Sequence, residues 1–117
     1  MITVQRRWFI PPHLYDEFRL RWLEEMGPVL PSLPGFIRAE IYDSAIPEQW
    51  TTLVSWDTEE HRVGAILTEE AIGFYARYSQ YEKGLAETLF LIGTIDGQSI
   101  GQRRLGRTAA VVLGEGV

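Results

Sequence analysis

Hydrophobic and polar residues alternate over residues 2–10, with Ile2, Val4 and Trp8 at one parity and Arg7 at the other. A period of two places successive side chains on opposite faces of an extended chain. We therefore predict a first β-strand over residues 2–10, which the two prolines that follow bring to an end.

The period changes to about four over residues 13–26. Apolar side chains recur there at every fourth position: Leu14, Phe18, Trp22 and Met26. Acidic and basic residues occupy most of the positions between them, which is the pattern of an amphipathic helix with one buried face. Gly27 and Pro28 come next, and we expect the helix to end before them because both residues are poor helix formers.

Two further strands follow an irregular, proline-rich connection. Residues 36–42 alternate between two sets of side chains, and residues 50–56 are rich in threonine, valine and tryptophan, which favour a pleated surface. The segment between them reads DSAIPEQ, a composition typical of a turn. A β-hairpin is therefore predicted.

A broken helix comes after the third strand. Asp57, with Glu60 three residues later, resembles a capping box and predicts a short helix to about Leu67. Thr68 is a suitable N-cap for a second helical piece that runs to about Tyr81.

The last predicted strand covers residues 86–95 and has apolar side chains on both faces. The resulting order, βαββαβ, predicts an α+β, ferredoxin-like sandwich with a four-stranded antiparallel sheet and both helices on one face. Strands with apolar residues at both parities are expected to be buried on both sides. A second copy of the sheet would cover the open face, so a homodimer is predicted.

Composition and charge restrict the choice of function. The chain of 117 residues contains no cysteine, so disulfides and thiolate ligands or nucleophiles are excluded. Its formal net charge is −5, and residues 1–96 hold 8 basic against 15 acidic residues, which argues against a nucleic-acid partner. No apolar segment has signal or membrane-spanning length, and a cytoplasmic protein is the default expectation.

Residues 97–117 differ from the preceding domain, which we assign to residues 1–96. They hold three arginines and one acidic residue, a glycine every few positions and one strand-like run over residues 108–113. The run could add a strand to the edge of a sheet in a neighbouring chain. Alternatively, this C-terminal tail is disordered, and the sequence favours neither interpretation.

Residues 1–96 resemble the antibiotic biosynthesis monooxygenase family of the dimeric α+β barrel superfamily. The resemblance depends on the order of the elements, on LPGF entering the second strand, and on a third-strand tryptophan followed by a short acidic helix, LVSWDTEEH. It implies a dimeric α+β barrel and, inside each monomer, a pocket with aromatic walls between the helices and the sheet. It also implies a small aromatic molecule as the ligand.

Characterised members of that family include cofactor-free enzymes that oxidise anthrones or hydroquinones with O₂, and relatives that degrade haem. An electron-rich phenolate can reduce O₂ directly once it is deprotonated and shielded from water. The resemblance therefore implies a monooxygenase that needs no cofactor. The alternative is a non-catalytic or stress-related barrel protein that binds an aromatic ligand, since one fold supports many functions.

Aromatic residues after the third strand are the first candidates for the site. By the resemblance, Trp56 would be a pocket wall, although it could equally anchor the broken helix in the core. Tyr75 and Tyr78 lie three positions apart and so share a helix face. Either hydroxyl could bind a substrate oxygen, and packing is the competing role for each.

Ionisable candidates complete the predicted site. His61 lies near the start of the broken helix and is the better of the two histidines for proton transfer, with a solvent-exposed position as its alternative. Arg7 and Arg38 come from the first two strands and could orient a phenolate or carboxylate, or else pair with acids such as Glu40. No histidine and carboxylate spacing forms a metal signature.

One absence separates this chain from the family's known mechanisms. The sequence contains no asparagine, whereas the haem-degrading and the anthrone-oxidising relatives both use one. The tryptophan and histidine of the haem-degrading relatives are also missing, with Ala65 and Tyr75 near the expected positions. The predicted catalytic pair, His61 and Tyr75, therefore departs from either mechanism.

Overall fold

A computed structural model describes residues 1–97 of the chain, and four strands in this range form one antiparallel sheet. The strands are β1 (Ile2–Phe9), β2 (Phe36–Asp43), β3 (Gln49–Trp56) and β4 (Glu87–Phe90). Their order in the sheet is β2-β3-β1-β4. The helices are α1 (Tyr15–Val29), α2 (Glu59–Ile66) and α3 (Glu69–Tyr78), with 3-10 turns at Pro12–Leu14, Leu30–Ser32 and Ser79–Tyr81.

This arrangement confirms the predicted α+β, ferredoxin-like fold. The two central strands pair in full register, from Ile2 opposite Trp56 to Phe9 opposite Gln49. Strands β2 and β3 form the predicted hairpin. All three helices pack on one face of the sheet, and the core lies between the two layers.

Trp8 lies at the centre of this core. Its side chain is fully buried, with its ring centroid 5.2 Å from that of Phe18 on α1 and 6.2 Å from that of Phe74 on α3. Its indole nitrogen donates a hydrogen bond of 3.0 Å to the hydroxyl of Thr52 on β3, so the polar edge of the ring is satisfied. Truncating such a residue to alanine typically costs about 3–5 kcal/mol. Trp8 thus packs α1 and α3 against the central strands β1 and β3.

Helix α1 continues past the residues predicted to end it. It includes Gly27 and Pro28 and ends at Val29, where a 3-10 turn begins. Pro28 lies in the last turn, so its missing N–H removes only one hydrogen bond at the end of the helix. Met26 and Leu30 are both buried on the face that meets the sheet, and this burial favours the continued helix.

The broken helix forms as predicted, but its first cap is a different residue. Thr58, not Asp57, accepts a hydrogen bond from a first-turn N–H, that of His61. The carboxylate of Asp57 instead contacts the imidazole of His61. Thr68 caps α3 as predicted, accepting from the N–H of Ala71.

The chain after α3 also differs from the prediction. Helix α3 ends at Tyr78, and the residues to Tyr81 form a 3-10 turn. The fourth strand covers only Glu87–Phe90 rather than residues 86–95, because pairing with β1 stops where β1 itself begins at Ile2. The predicted strand over residues 108–113 lies outside the described residues.

Candidate functional site

A cavity of about 60 Å³ lies between the sheet and the helices. Its walls are mostly apolar or aromatic: Trp22, Met26, Val54, Trp56, Ala71 and Phe74. Four polar side chains also line it, namely Arg6, Thr52, Arg62 and Tyr75. An apolar concave site with a few polar groups is the usual form of a small-molecule pocket.

The strand contribution follows from the register of β1 and β3. Val4 lies opposite Val54 and Arg6 lies opposite Thr52, so all four side chains point to the helical face. Trp56 is two positions beyond Val54 and shares that face. The two central strands therefore form the floor of the cavity.

Trp56 is 3 % exposed and lines the cavity. Its ring also meets Phe36 of β2 edge-on, with centroids 5.7 Å apart and an angle of 78° between the planes. The two interpretations of this residue are thus compatible, because one face of the cavity is also part of the packed core.

Tyr75 lines the cavity from α3 and lies nearly parallel to Trp8, with centroids 6.0 Å apart and an interplanar angle of 12°. The guanidinium carbon of Arg6 is 4.7 Å from the centre of the Tyr75 ring. Burial raises the pKa of Tyr75 above its ordinary value, Arg6 opposes the rise and Glu82 adds to it. The hydroxyl therefore stays protonated at neutral pH and is a hydrogen-bond donor rather than a base.

Arg6 brings a partly buried ion pair to the cavity. Its Nη1 atom is 2.7 Å from Oε2 of Glu82, and the two side chains are 21 % and 16 % exposed. Glu82 follows the 3-10 turn after α3, and its backbone forms an isolated antiparallel β-bridge with that of Trp8 on β1. Arg6, Glu82 and Tyr75 thus form one cluster where α3 ends above β1.

Arg62 contributes a second cation, from α2. Its guanidinium contacts both carboxylate oxygens of Glu59, at 3.0 Å from Nε and 2.5 Å from Nη2. Glu59 lies three residues earlier on the same helix, so this bidentate pair is local. Two of the three guanidinium nitrogens of Arg62 are therefore already hydrogen-bonded to Glu59.

Tyr78 does not line the cavity. It is 1 % exposed within the aromatic core, with its ring edge-on to Phe18 at 5.1 Å. Its hydroxyl donates a hydrogen bond of 2.7 Å to Oε2 of Glu17 on α1. Burial, with Glu17 as the next cause, raises the pKa of Tyr78 to about 12. Its contacts are those of a residue that joins α1 to α3.

His61 lies outside the cavity lining, although its neighbour Arg62 is part of it. Its Nδ1 atom is 2.7 Å from Oδ1 of Asp57, and this hydrogen bond is the main cause that lowers the pKa of the Asp57 carboxyl. The imidazole is 39 % exposed. The structure thus separates His61 from Tyr75, the other residue of the predicted catalytic pair.

Arg7 and Arg38 lie on the sheet face opposite the helices. Arg7 is exposed and has the parity of Thr3, whereas Arg38 pairs with Ser55 in the sheet and approaches Glu40 at 3.5 Å. Strand β3 separates β1 from β2. The structure therefore does not bring these two arginines together with Trp56 and Tyr75.

Sequence reasoning missed Arg6, Thr52 and Arg62. The parity of Val4 and Trp8 already places Arg6 on the apolar face of β1, so the pattern held a signal for it. Thr52 has a similar signal from Trp50 and Trp56 on β3. Arg62 has none, because its position depends on how α2 is rotated against the sheet.

Among residues 1–97, no group of three or more histidine, aspartate or glutamate side chains is arranged to hold a metal ion. Over the same residues, every helix is too short or too polar to cross a membrane. The candidate site is thus an aromatic cavity that contains a protonated tyrosine and two arginines.

Comparison with known proteins identifies relatives of this fold. A family model described as antibiotic biosynthesis monooxygenase matches residues 1–71. A conserved protein from Methanosarcina mazei Go1 has a similar structure with a TM-score of 0.63 and 20 % identity, the match covering 75 % of this chain and 87 % of that one. No match was found among curated proteins.

Two further solved structures show the same fold. Rv0793 from Mycobacterium tuberculosis superposes with a TM-score of 0.64 at 12 % identity, over 81 % of this chain and 96 % of that one. SnoaB, a cofactor-independent oxygenase from Streptomyces nogalater, superposes with a TM-score of 0.64 at 11 % identity, over 80 % and 95 % of the two chains. At these identities the structural likeness establishes the fold.

Proposed function

The chain belongs to the antibiotic biosynthesis monooxygenase family, and from this premise we propose that it is a cofactor-independent monooxygenase that oxidises a polycyclic phenol, anthrone or quinol with O₂. The observation that carries the proposal is the aromatic cavity in which Trp56, Tyr75 and Arg6 face the same space. Flat walls suit a flat substrate, and the three side chains supply a stacking surface, a donor and a positive charge.

These groups suit a reaction that the substrate itself drives. An ionised phenol or anthrone is electron-rich enough to reduce O₂ without a cofactor, provided that water is kept away. For an anthrone, the CH₂ group becomes a carbonyl: one oxygen atom enters the product, and the other leaves as water with the two hydrogens. Tyr75 would donate a hydrogen bond to the substrate oxygen, and the apolar walls would shield the reacting carbon.

The size of the cavity adds a requirement. Its volume of about 60 Å³ is well below the roughly 150 Å³ of an engineered apolar cavity that binds benzene. A polycyclic substrate therefore needs α2 and α3 to move away from the sheet. The break between these helices at Leu67 and Thr68 is the natural place for that movement, since Leu67 is 68 % exposed.

A non-catalytic, aromatic-ligand-binding protein is the second candidate, and one observation favours it. Among residues 1–97, none of the side chains that line the cavity is a carboxylate or an imidazole, and the sequence contains no asparagine. General-base catalysis needs a proton acceptor within hydrogen-bond reach of the substrate. A cavity without such a group can still bind an aromatic metabolite tightly.

Oxygen consumption by the purified protein tests the proposal. The panel consists of anthrones, dihydroxynaphthalenes and quinols, with a metal chelator present throughout. We expect uptake that survives chelation and that falls at least about tenfold in a Trp56→Ala variant, because a lost stacking wall weakens substrate positioning.

Trp50→Ala is the matched control. Trp50 lies on the same strand and is partly buried, but it stacks on Tyr15 with centroids 5.1 Å apart and does not line the cavity. Circular dichroism verifies that both variants fold. Tight binding of panel members without any uptake would contradict the monooxygenase and favour the binding protein.

A further inference from the structure

Among residues 1–97, the charged side chains that line the cavity are both arginines. Arg6 and Arg62 line it, whereas their partners Glu82 and Glu59 contact the guanidiniums without lining the space. Tyr75 is the remaining titratable side chain in the lining, and it is held in its neutral form. A ligand in this cavity therefore meets positive charge and hydrogen-bond donors, and the apolar walls strengthen both interactions.

Arg6 is better placed than Arg62 to bind an anionic ligand. A guanidinium has five N–H donors in a planar fork. Arg62 directs two nitrogens of its fork at both oxygens of Glu59, whereas the contact of Arg6 with Glu82 uses Nη1. Arg6 also lies against the Tyr75 ring, 4.7 Å from its centre, so its charge and a phenolic hydroxyl come together at one end of the cavity.

Glu82 is held by the backbone on both sides. Its own N–H donates to the carbonyl of Ser79 at 3.0 Å, and the next N–H, that of Lys83, donates to the carbonyl of Arg7 on β1 at 2.7 Å. These bonds fix the start of the segment after α3 against the strand that carries Arg6. The side chain of Glu82 is 16 % exposed on this fixed backbone, so its carboxylate supports the guanidinium rather than being a mobile surface charge.

We propose that Arg6 selects the ionised form of a planar phenol and holds its oxyanion beside Tyr75, with Glu82 as the residue that positions Arg6. The inference rests on the proposed function for the identity of the cavity as the substrate site. When a neutral phenol binds, its O–H proton passes to solvent and the negative charge stays on the oxygen. The site thus produces the electron-rich form of the substrate without a base of its own.

The test uses 4-nitrophenol, a one-ring probe that needs a smaller opening of the cavity than a polycyclic substrate and whose phenolate absorbs visible light. The probe is titrated with the full-length protein across a range of pH under nitrogen, and the phenolate absorbance gives the ionisation midpoint of the bound probe. We expect this midpoint to lie about 1 pH unit or more below that of the free probe, as for an acid placed next to a fixed cation. 4-Nitroanisole, which has no ionisable proton, should bind more weakly by about tenfold or more.

Three sets of variants separate the roles. Replacing both members of the pair, Arg6→Met with Glu82→Gln, leaves no buried charge unpaired, and the bound probe should return to its free midpoint. Arg7→Met changes the neighbouring arginine on the opposite face and should leave the midpoint at the wild-type value. Glu82→Gln removes the counter-charge but keeps an acceptor for Arg6, so its shift should be at least as large as in the wild type. Glu82→Ala removes both the charge and the acceptor, so Arg6 is no longer held and the shift should be smaller than in Glu82→Gln.

The inference is overturned if the wild type fails to bind the probe, if the bound midpoint equals the free one, or if the shift persists without Arg6. The positioning role of Glu82 is overturned if Glu82→Ala shifts the midpoint as much as Glu82→Gln. The assay involves no oxygen, so a shifted midpoint in a protein that consumes no O₂ would uphold this inference while contradicting the proposed oxygenase.

Discussion

Gly35 directly precedes β2 and has a left-handed backbone conformation, with φ at +79°. A Cβ atom there would clash with the Asp57 carboxylate and the His61 imidazole. The carbonyl of Gly35 also accepts a hydrogen bond of 2.9 Å from the N–H of Asp57. The close approach of β2 to the start of α2 therefore requires a residue without a side chain.

Replacing Gly35 by alanine is expected to destabilise the protein by about 1–3 kcal/mol, the usual cost of a strained backbone position. Gly73→Ala is the matched control, since Gly73 lies inside α3 with no atom within 4 Å of a new Cβ. That change should stabilise the helix by up to about 1 kcal/mol. Urea unfolding followed by circular dichroism measures both, and equal stabilities of the two variants would contradict the expectation.

The raised pKa of the Tyr78 hydroxyl makes the free energy of unfolding depend on pH. Its pKa rises to about 12 in the folded protein, whereas a tyrosine in an unfolded chain titrates near about 10. The folded state thus binds the proton more tightly, so the stabilisation is complete below about pH 10 and is lost as the pH rises towards 12.

A Tyr78→Phe variant should therefore be less stable than the wild type at pH 8, by about 1 kcal/mol for the lost hydrogen bond to Glu17. The difference should shrink as the pH is raised above 10. Urea unfolding at stepped pH gives the comparison. Tyr42→Phe is the control, because Tyr42 also bonds a glutamate, Glu40, but is 49 % exposed, and solvent screens its pair. A difference in the free energy of unfolding between Tyr78→Phe and the wild type that stayed constant with pH would refute the raised pKa of Tyr78.

At the scale of elements, the two capped helices α2 and α3 decide which side chains reach the cavity. Thr58 and Thr68 each accept a hydrogen bond from the third N–H of their helix. Two glutamates follow each threonine in the first turn, where negative charge complements the helix dipole. The break allows α3 to start in a new direction and to direct Phe74 and Tyr75 at the sheet.

Removing the second cap should loosen this arrangement. Thr68→Ala is expected to cost about 1 kcal/mol, the typical value for an N-cap side chain. The loss would include the bond that the Thr68 hydroxyl donates to the Ala65 carbonyl at 2.9 Å. Thr68→Ser keeps the hydroxyl and should retain most of the stability. If urea midpoints for the alanine and serine variants coincide, the cap does not stabilise the break.

At the scale of the whole molecule, one face of the sheet packs against the helices, and within residues 1–97 no other element covers the opposite face. The second face combines polar side chains with apolar ones. The apolar members are Phe9, Tyr42, Leu53 and Leu89. A single sheet layer with such a face gains stability when another layer covers it. We therefore retain the prediction of a homodimer formed across this face.

Light scattering after size exclusion measures the predicted dimer directly. The wild type should have the mass of two chains, and Leu53→Glu, which puts a charge at the centre of the open face, should shift the population to the monomer. Leu20→Glu is the control, since Leu20 is 54 % exposed on α1, on the other side of the molecule. A monomeric wild type would rule the dimer out.

The elements and their order can be predicted from the amino-acid sequence alone. The apolar stripe of Phe18, Trp22 and Met26 defined the buried face of α1, and Thr68 marked the restart of the broken helix. These features depend on the hydrogen bonding and periodicity of a few consecutive residues. Such local information survives without knowledge of the rest of the chain, and it was sufficient for the fold.

Which side chains share the cavity depends on how the elements pack together, and the sequence pattern does not show it. Arg6 and Arg7 are identical and adjacent, yet one faces Tyr75 and the other faces away. Arg62 reaches the cavity while His61, one residue earlier, turns to Asp57. Membership in a site depends on the register of strands and the rotation of helices against them, and contacts between residues far apart in the chain set both.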